Sequence, residues 1–162
     1  MNRVAVNCEE LPLPFHSDAL SRSVSDFALK VLDEINRSNW DLSVLLCGDK
    51  TITALNTQYR GKAEPTDILS FNMGSEVQDG DGIRFLPGDI AISLDTLAEN
   101  ARYFQVPEDE ELRRLLIHGI LHLDGMDHSS TDEDEENPML ALQEEILSKL
   151  KNERILPPRG EK

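Results

Sequence analysis

The sequence predicts an α+β fold: a small sheet of about four strands covered by helices. Three observations predict it. Four short β-prone runs are interleaved with longer segments whose apolar residues recur at three- and four-residue steps, the helix period. The order of these runs lacks the regular βαβ alternation that marks a doubly wound parallel sheet. Finally, 162 residues suit one domain with a core large enough to need no disulfides. Residues 1–155 are expected to form that domain, and residues 156–162 a flexible tail.

The elements follow in order. Val4 and Val6, before a proline- and acid-rich stretch to Phe15, read as a short first strand. From Ser17 to Arg37, Leu20, Val24, Phe27, Val31 and Ile35 repeat at helical spacing, with Ser17 as N-cap. This helix carries core rather than chemistry. Leu42 to Cys47 is a β-prone run, after which Gly48-Asp49 opens a second helical pattern through Ile52, Leu55 and Tyr59, with Asp49 as its cap. Arg60 to Asp67 is turn-rich and leads into the apolar strand Ile68 to Phe71. Residues 74–82 are polar and glycine-rich and are expected to be a mobile hairpin connection. Pro87-Gly88-Asp89 then starts the strand Ile90 to Ser93. Three helices complete the chain: Asp95 to Phe104, Pro107 to about Asp124, and Glu133 or Pro138 to Asn152. Pro107 suits a first helical position, where a missing N–H costs nothing extra.

The chemistry concentrates in Leu116-Ile117-His118-Gly119-Ile120-Leu121-His122-Leu123-Asp124-Gly125-Met126-Asp127-His128. His118 and His122 are four residues apart, so on a helix they sit one turn above each other with Cβ atoms about 5–6 Å apart and can aim at one point. A third ligand at +10 on a continuous helix would lie on another face, roughly 15 Å along the axis at ~1.5 Å per residue. The helix must therefore stop, and Gly125 can take the left-handed conformation that stops it and returns His128 toward the pair. Three imidazoles with a fourth position open describe a catalytic rather than a structural zinc site.

A histidine on an apolar helix face is ordinarily a core residue with its hydrogen bonds satisfied. Here three of the four histidines fall within eleven residues at ligand spacing, and that outweighs the ordinary reading. His16, the fourth, has no ligand pattern around it and reads as a surface residue. The spacing invites comparison with zinc proteases of the H-E-x-x-H-x-x-G-x-x-H type, whose glutamate is the general base. Gly119 stands at that position and cannot take a proton, so the protease reading loses its base.

Composition narrows the classes further. Hydrophobic residues at 39% and charged residues at 29% are ordinary for a soluble globular protein, and no apolar run approaches a bilayer span. The first residues lack the apolar stretch of a secretory signal, and Cys8 and Cys47 are isolated, which together set a cytoplasmic expectation. A net charge of −15 argues against a basic surface over the whole protein for nucleic acid. The acidic runs 108–111 and 132–136 lie in or beside expected first turns of helices, where they complement the macrodipole. A local basic patch remains open to Arg60 and Lys62.

The motif H-G-x-L-H-L-x-G-x-D-H, with Leu55-Asn56-x-x-Tyr59-Arg60, Thr66-Asp67-Ile68-Leu69-Ser70-Phe71 and Gly88-Asp89-Ile90-Ala91-Ile92-Ser93, resembles the YbeY family of bacterial endoribonucleases. Each piece alone is weak, but four in this order are specific, and they run from about Leu42 to the last helix. Met126 departs from the tyrosine usual in the family, at a position that is not a ligand. The resemblance implies a zinc-dependent, single-strand-specific endoribonuclease acting in ribosomal RNA maturation, at the 3′ end of the 16S RNA, and in ribosome quality control. It also implies a small mixed sheet and one zinc per chain on His118, His122 and His128, another divalent transition metal being the alternative. The family's functional arginine maps to Arg60. On this basis Arg60 and His118 are the expected catalytic residues. Single-stranded or ribosomal RNA and a ribosomal or small-subunit protein are the expected partners, with no DNA and no membrane.

Some alternatives stay open at this level. Arg60 reads either as a phosphate contact or as an exposed residue paired with Glu64 or Asp67. Asp127 reads equally as an acceptor that orients a ligand imidazole or as a cap on the turn after Gly125. Asp67 and Ser70 lie near the cleft by resemblance alone, and ordinary strand-start chemistry suffices for Ser70. A metallohydrolase of another substrate, including a residual protease, and a non-catalytic ribosome-associated factor stabilised by metal are the competing functions.

Overall fold

The computed structural model describes residues 1–9, 18–80, 82–126 and 138–156. In chain order these are β1 (Arg3–Cys8), α1 (Asp18–Glu34), β2 (Asp41–Cys47), α2 (Asp49–Arg60), β3 (Ile68–Asp79), β4 (Gly82–Ser93), α3 (Leu94–Phe104), α4 (Glu108–Leu123) and α5 (Pro138–Lys149). The sheet is four-stranded, in the order β1-β2-β4-β3. β1 and β4 run parallel to β2, whereas β3 is antiparallel to β4, so the sheet is mixed and the fold is α+β.

Strand alternation divides the apolar residues between two cores. Val44, Leu46, Ile90 and Ile92 face one way and join Leu20, Val24, Phe27 and Val31 of α1 and Leu112, Leu116 and Ile120 of α4 in the main cluster. Cys47, Leu69 and Ala91 face the other way and form a smaller cluster with Ile52 of α2, against which Leu45, Leu55 and Phe71 pack. Cys47 is buried, and its thiol donates to the Ile92 carbonyl at 3.5 Å.

Within the stretch expected as a mobile hairpin connection, Ser75–Asp79 and Gly82 instead continue the ladder, and residue 81 lies outside the described residues. Glu76 pairs with Phe85, Val77 with Arg84 and Gln78 with Ile83. The hydrophobic pattern misses this extension because the β3 residues beyond Asn72 are exposed on both faces, while backbone hydrogen bonds do not depend on side-chain polarity. The hairpin is anchored at Arg84, which is 7% exposed. Its guanidinium donates to Asp41 Oδ1 at 2.7 Å and to the Met1 carbonyl at 2.7 Å. Trp40 and Phe85 also stack at 5.1 Å. Opposite a register shift between Asn72 and Ser75, Gly88 adopts φ +142, and a Cβ there would lie 2.0 Å from the Phe71 carbonyl oxygen. Only glycine fits that approach.

Helix boundaries moved where capping chemistry differs from the expectation. α1 ends at Glu34, three residues before Arg37, because Asn36 takes the left-handed region at φ 59. Gly48, not Asp49, occupies the N-cap of α2. The Asp49 carboxylate accepts instead from Ser93 Oγ at 2.7 Å and Thr96 Oγ1 at 2.6 Å, joining the starts of α2 and α3. Pro107 holds ψ 144 and so sits at the N-cap of α4 rather than at its first helical position. α5 is described from Pro138, the expected start at Glu133 lying outside the described residues, and ends at Lys149, three residues before Asn152.

Ile155 and Leu156 are packed onto α4. Asp109 Oδ1 accepts from the backbone N–H groups of Ile155 at 2.6 Å and Leu156 at 2.7 Å, while its Oδ2 accepts from Arg113 Nε at 2.9 Å. Leu156 is 3% exposed, so the packed chain includes a residue assigned to the tail from sequence. Residues 157–162 lie outside the described residues. Among the described residues no helix is long and apolar enough to cross a membrane.

Candidate metal centre

α4 is buried on nearly every side. Between Leu112 and Leu123 the half-exposed residues are Arg114, His118 and His122, and all others are buried. The spacing of four places these three along one stripe, so the two histidines share a face as the sequence reading requires. Gly119 lets the helix lie close to the sheet. A Cβ there would meet Ile90 Cδ1 at 2.9 Å and Ile68 Cδ1 at 3.1 Å. A glutamate at this position would point into the sheet and not toward the histidines, which adds a packing reason to the missing protease base.

The helix stops after Leu123, close to the end that the sequence predicts. Asp124 is the C-cap, and Gly125 follows at φ +96. Its N–H bonds the His122 carbonyl at 3.1 Å, and the Met126 N–H reaches back to the Leu121 carbonyl at 3.1 Å. This is the paired closure of a Schellman motif. Met126 is the residue that packs against the main core, which gives the position an apolar role in this chain. Arg37, just beyond α1, holds the same turn through Nε–Oδ1 at 2.7 Å and Nη2–Oδ2 at 3.0 Å to Asp124. Hydrogen bonding to Asp124, reinforced by its charge, holds the Arg37 guanidinium above its ordinary pKa against the opposing effect of burial.

Of the expected ligands, His118 and His122 are in the described residues and His128 lies outside them, as do Asp127 and His16, which were not expected to be ligands. Among the described residues no three or more His, Cys, Asp or Glu side chains form a metal-type cluster. The donor chemistry of the pair nonetheless fits a metal of zinc type. His118 Nδ1 lies 2.8 Å from Gln143 Oε1 on α5, and the Gln143 amide nitrogen donates to Glu144 Oε2 at 3.1 Å. A ring whose Nδ1 carries the hydrogen has its lone pair on Nε2, the atom a cation would take.

Arg60 is the last residue of α2 and is exposed. Its Nη2 makes a long contact of 3.4 Å to the Ser70 carbonyl, not an ion pair with Glu64 or Asp67. Asp67 instead accepts from Asn100 Nδ2 at 3.2 Å. Gly61 ends α2 in the left-handed region at φ 69, and buried Asn56 donates to the Glu64 carbonyl at 2.9 Å, which fixes the loop following Arg60. β3 touches both elements: its Ser70 carbonyl meets Arg60 at the end of α2, and its Ile68 side chain lies against Gly119 of α4. A 760 Å³ cavity lined by Asp49, Asp95, Glu99 and Glu108 contains neither Arg60 nor a histidine.

Two contributors were missed from sequence. Asn56 stands in the motif quoted above without a role of its own, and only the structure shows its buried amide holding the loop. Gln143 did carry a signal: it interrupts the apolar face formed by Met139, Ile146 and Leu147, and at 6% exposure it occupies a core position.

The family model described as Endoribonuclease YbeY matches residues 6–151. A Treponema denticola protein named Endoribonuclease YbeY is 52% identical over 133 residues, covering 82% of this chain and 84% of the relative. One from Treponema pallidum is 47% identical over 150 residues, covering 91% and 89%. One from Persephonella marina is 39% identical over 152 residues, covering 94% and 95%. A Thermotoga maritima protein solved in solution shares the fold with a TM-score of 0.62 at 24% identity, covering 98% of this chain and 99% of the other. With a family model spanning most of its length and relatives this similar across nearly all of theirs, the chain belongs to the YbeY endoribonuclease family.

Proposed function

We propose that this protein is a metal-dependent endoribonuclease that cuts single-stranded RNA in ribosomal RNA maturation. The observation that carries the proposal is the half-exposed stripe of His118 and His122 on an otherwise buried helix that closes at Gly125, in a chain of this family.

His118, His122 and His128 would hold one zinc ion, which when bound supplies Lewis acidity toward a phosphoryl oxygen and toward water. Imidazole ligands admit other divalent transition metals as well, so zinc is the reading that an open three-nitrogen set favours. Arg60 binds and orients the phosphate, because an exposed guanidinium offers paired charge-assisted donors as negative charge builds on the oxygens. Asn56 and Gly61 fix the backbone on which Arg60 stands. Gly119 leaves no base at the position that peptide hydrolysis would use, and this favours phosphodiester over peptide chemistry.

The substrate assignment extends to the 3′ end of the 16S RNA and to ribosome quality control in the cytoplasm. A charge of −15 repels RNA at long range, so a ribosomal or small-subunit protein is proposed to deliver the enzyme.

The test compares wild type, Arg60→Ala and His122→Ala, purified identically and of known metal content, on one single-stranded RNA and its duplex. Cleavage of the single strand by wild type alone is expected. Equal cleavage by all three would trace the activity to a contaminant. Intact RNA with a fully loaded wild type would overturn autonomous catalysis and favour a non-catalytic ribosome-associated factor.

A further inference from the structure

Gln143 is a polar side chain at a position where α5 otherwise buries apolar groups. Met139 lies four residues before it, and Ile146 and Leu147 three and four after, all in the main core. A 6% exposed amide there is costly unless every polar atom has a partner. Both ends of this amide are satisfied. Oε1 lies 2.8 Å from His118 Nδ1, and Nε2 lies 3.1 Å from Glu144 Oε2.

The direction of each bond follows from the last member of the series. Glu144 is held as a carboxylate by Arg114, whose Nε donates to its Oε2 at 3.0 Å. A carboxylate only accepts, so the amide nitrogen of Gln143 must face it and the amide oxygen must face His118. An oxygen that only accepts requires a hydrogen on Nδ1. Arg114 is itself fixed by Glu110 and Glu111 at 3.0 and 2.9 Å, so the polarity of the whole row is set from the first turn of α4.

We propose that Gln143 is a positioning residue for the metal centre: it holds His118 in the Nδ1–H tautomer, with the ring oriented and the lone pair on Nε2, and thereby strengthens metal binding. The inference rests on the metal-centre reading above. An acceptor behind a ligand imidazole fixes tautomer and orientation and raises basicity, and its loss typically weakens metal binding by about 10- to 100-fold.

The test uses wild type, Gln143→Leu and Gln143→Glu in two measurements, with folding of each followed by thermal melting. In metal-free protein, ¹⁵N shifts of His118 are expected to report Nδ1–H in wild type and Gln143→Glu and a tautomer mixture in Gln143→Leu. An Nε2–H ring in wild type, or no change in Gln143→Leu, overturns the proposal. Zinc affinity, measured by competition with a chromophoric chelator, is expected to fall 10- to 100-fold in Gln143→Leu and to be retained in Gln143→Glu. Zinc bound equally well by wild type and Gln143→Leu overturns the positioning role alone. Failure of folded wild type to bind zinc overturns the metal-centre reading on which the proposal stands. A loss of melting temperature in Gln143→Leu with tautomer and affinity unchanged assigns the residue to packing and likewise overturns the proposal.

Discussion

Gly119 and Ile90 define how closely α4 approaches the sheet: a Cβ on the glycine would stand 2.9 Å from the isoleucine Cδ1. The contact is with the mobile end of a side chain, so a methyl group can be accommodated by small shifts. Gly119→Ala also gains about 1 kcal/mol of helix propensity, and its stability is expected to stay within about 1 kcal/mol of wild type. Gly119→Val places branched carbons against both Ile90 and Ile68 and is expected to lose about 2–3 kcal/mol. Urea titrations of the metal-free proteins compare the three, and a valine variant as stable as wild type would contradict the packing.

Asp109 is 8% exposed and carries three hydrogen bonds, from Arg113 and from the backbone of Ile155 and Leu156. Asp109→Ala leaves a buried guanidinium without its carboxylate and two buried N–H groups without an acceptor. Removing one partner of such a pair costs about 3–5 kcal/mol. The expected drop shows in thermal melting, with the steepest loss of hydrogen-exchange protection at residues 155 and 156.

Arg60 is exposed, so its removal is expected to leave the melting temperature unchanged. Single-strand RNA cleavage by Arg60→Ala should fall by about 10²–10³-fold, the usual effect of deleting one donor to developing charge. Arg60→Lys keeps the charge without the paired donors and should fall between the two. Full activity in the lysine variant would reduce the residue to a point charge.

Glu144 has its pKa depressed below the ordinary 4.5: burial pushes it up, but hydrogen bonds from Arg114 and Gln143 and the Arg114 charge more than offset this. Between the folded and unfolded values the unfolded chain binds more protons. The contribution of this group is therefore present above about pH 4.5 and is lost as pH falls through the folded value. Arg114 is raised by the same contacts and stays charged throughout this range. The wild-type melting temperature, relative to that of Glu144→Gln, is expected to decline below pH 4.5. A constant offset down to pH 3 would remove the linkage.

Gly88 at φ +142 faces the Phe71 carbonyl at a distance no Cβ allows. Gly88→Ala must move the β3 backbone at the register shift. It is expected to lose about 3 kcal/mol or more, the large effect associated with strain at a special backbone position. Far-ultraviolet circular dichroism with urea titration measures it.

The apolar periodicity of α1 and α4 made those helices legible in the sequence, because burial on one face and burial all round leave distinct patterns. The glycine stop after His122 was legible for a local reason: a glycine three residues on can take the left-handed conformation that ends a helix, and Gly125 does so at φ +96. The long hairpin was not, since its stability comes from backbone pairing and from Arg84, whose partners Asp41 and Met1 are remote in sequence. Asp49 shows another limit. A carboxylate next to a glycine resembles a local cap, and its use by Ser93 and Thr96 becomes visible only when two helix starts are adjacent. Gln143 was readable as an anomaly in an apolar stripe, but the histidine it serves lies 25 residues earlier.

The bonds from Asp109 to Ile155 and Leu156 mean that a segment beyond α5 is fastened to the helix that carries His118 and His122. A protease trimming from the carboxyl end, or an unfolding machine that grips the chain there, would reach this latch before any strand of the sheet. Removal of Leu156 and then of Ile155 strips the two backbone donors from Asp109 and loosens the first turn of α4. Loss of those two residues would thus act on the helix that bears the two histidines before it reached any strand of the sheet.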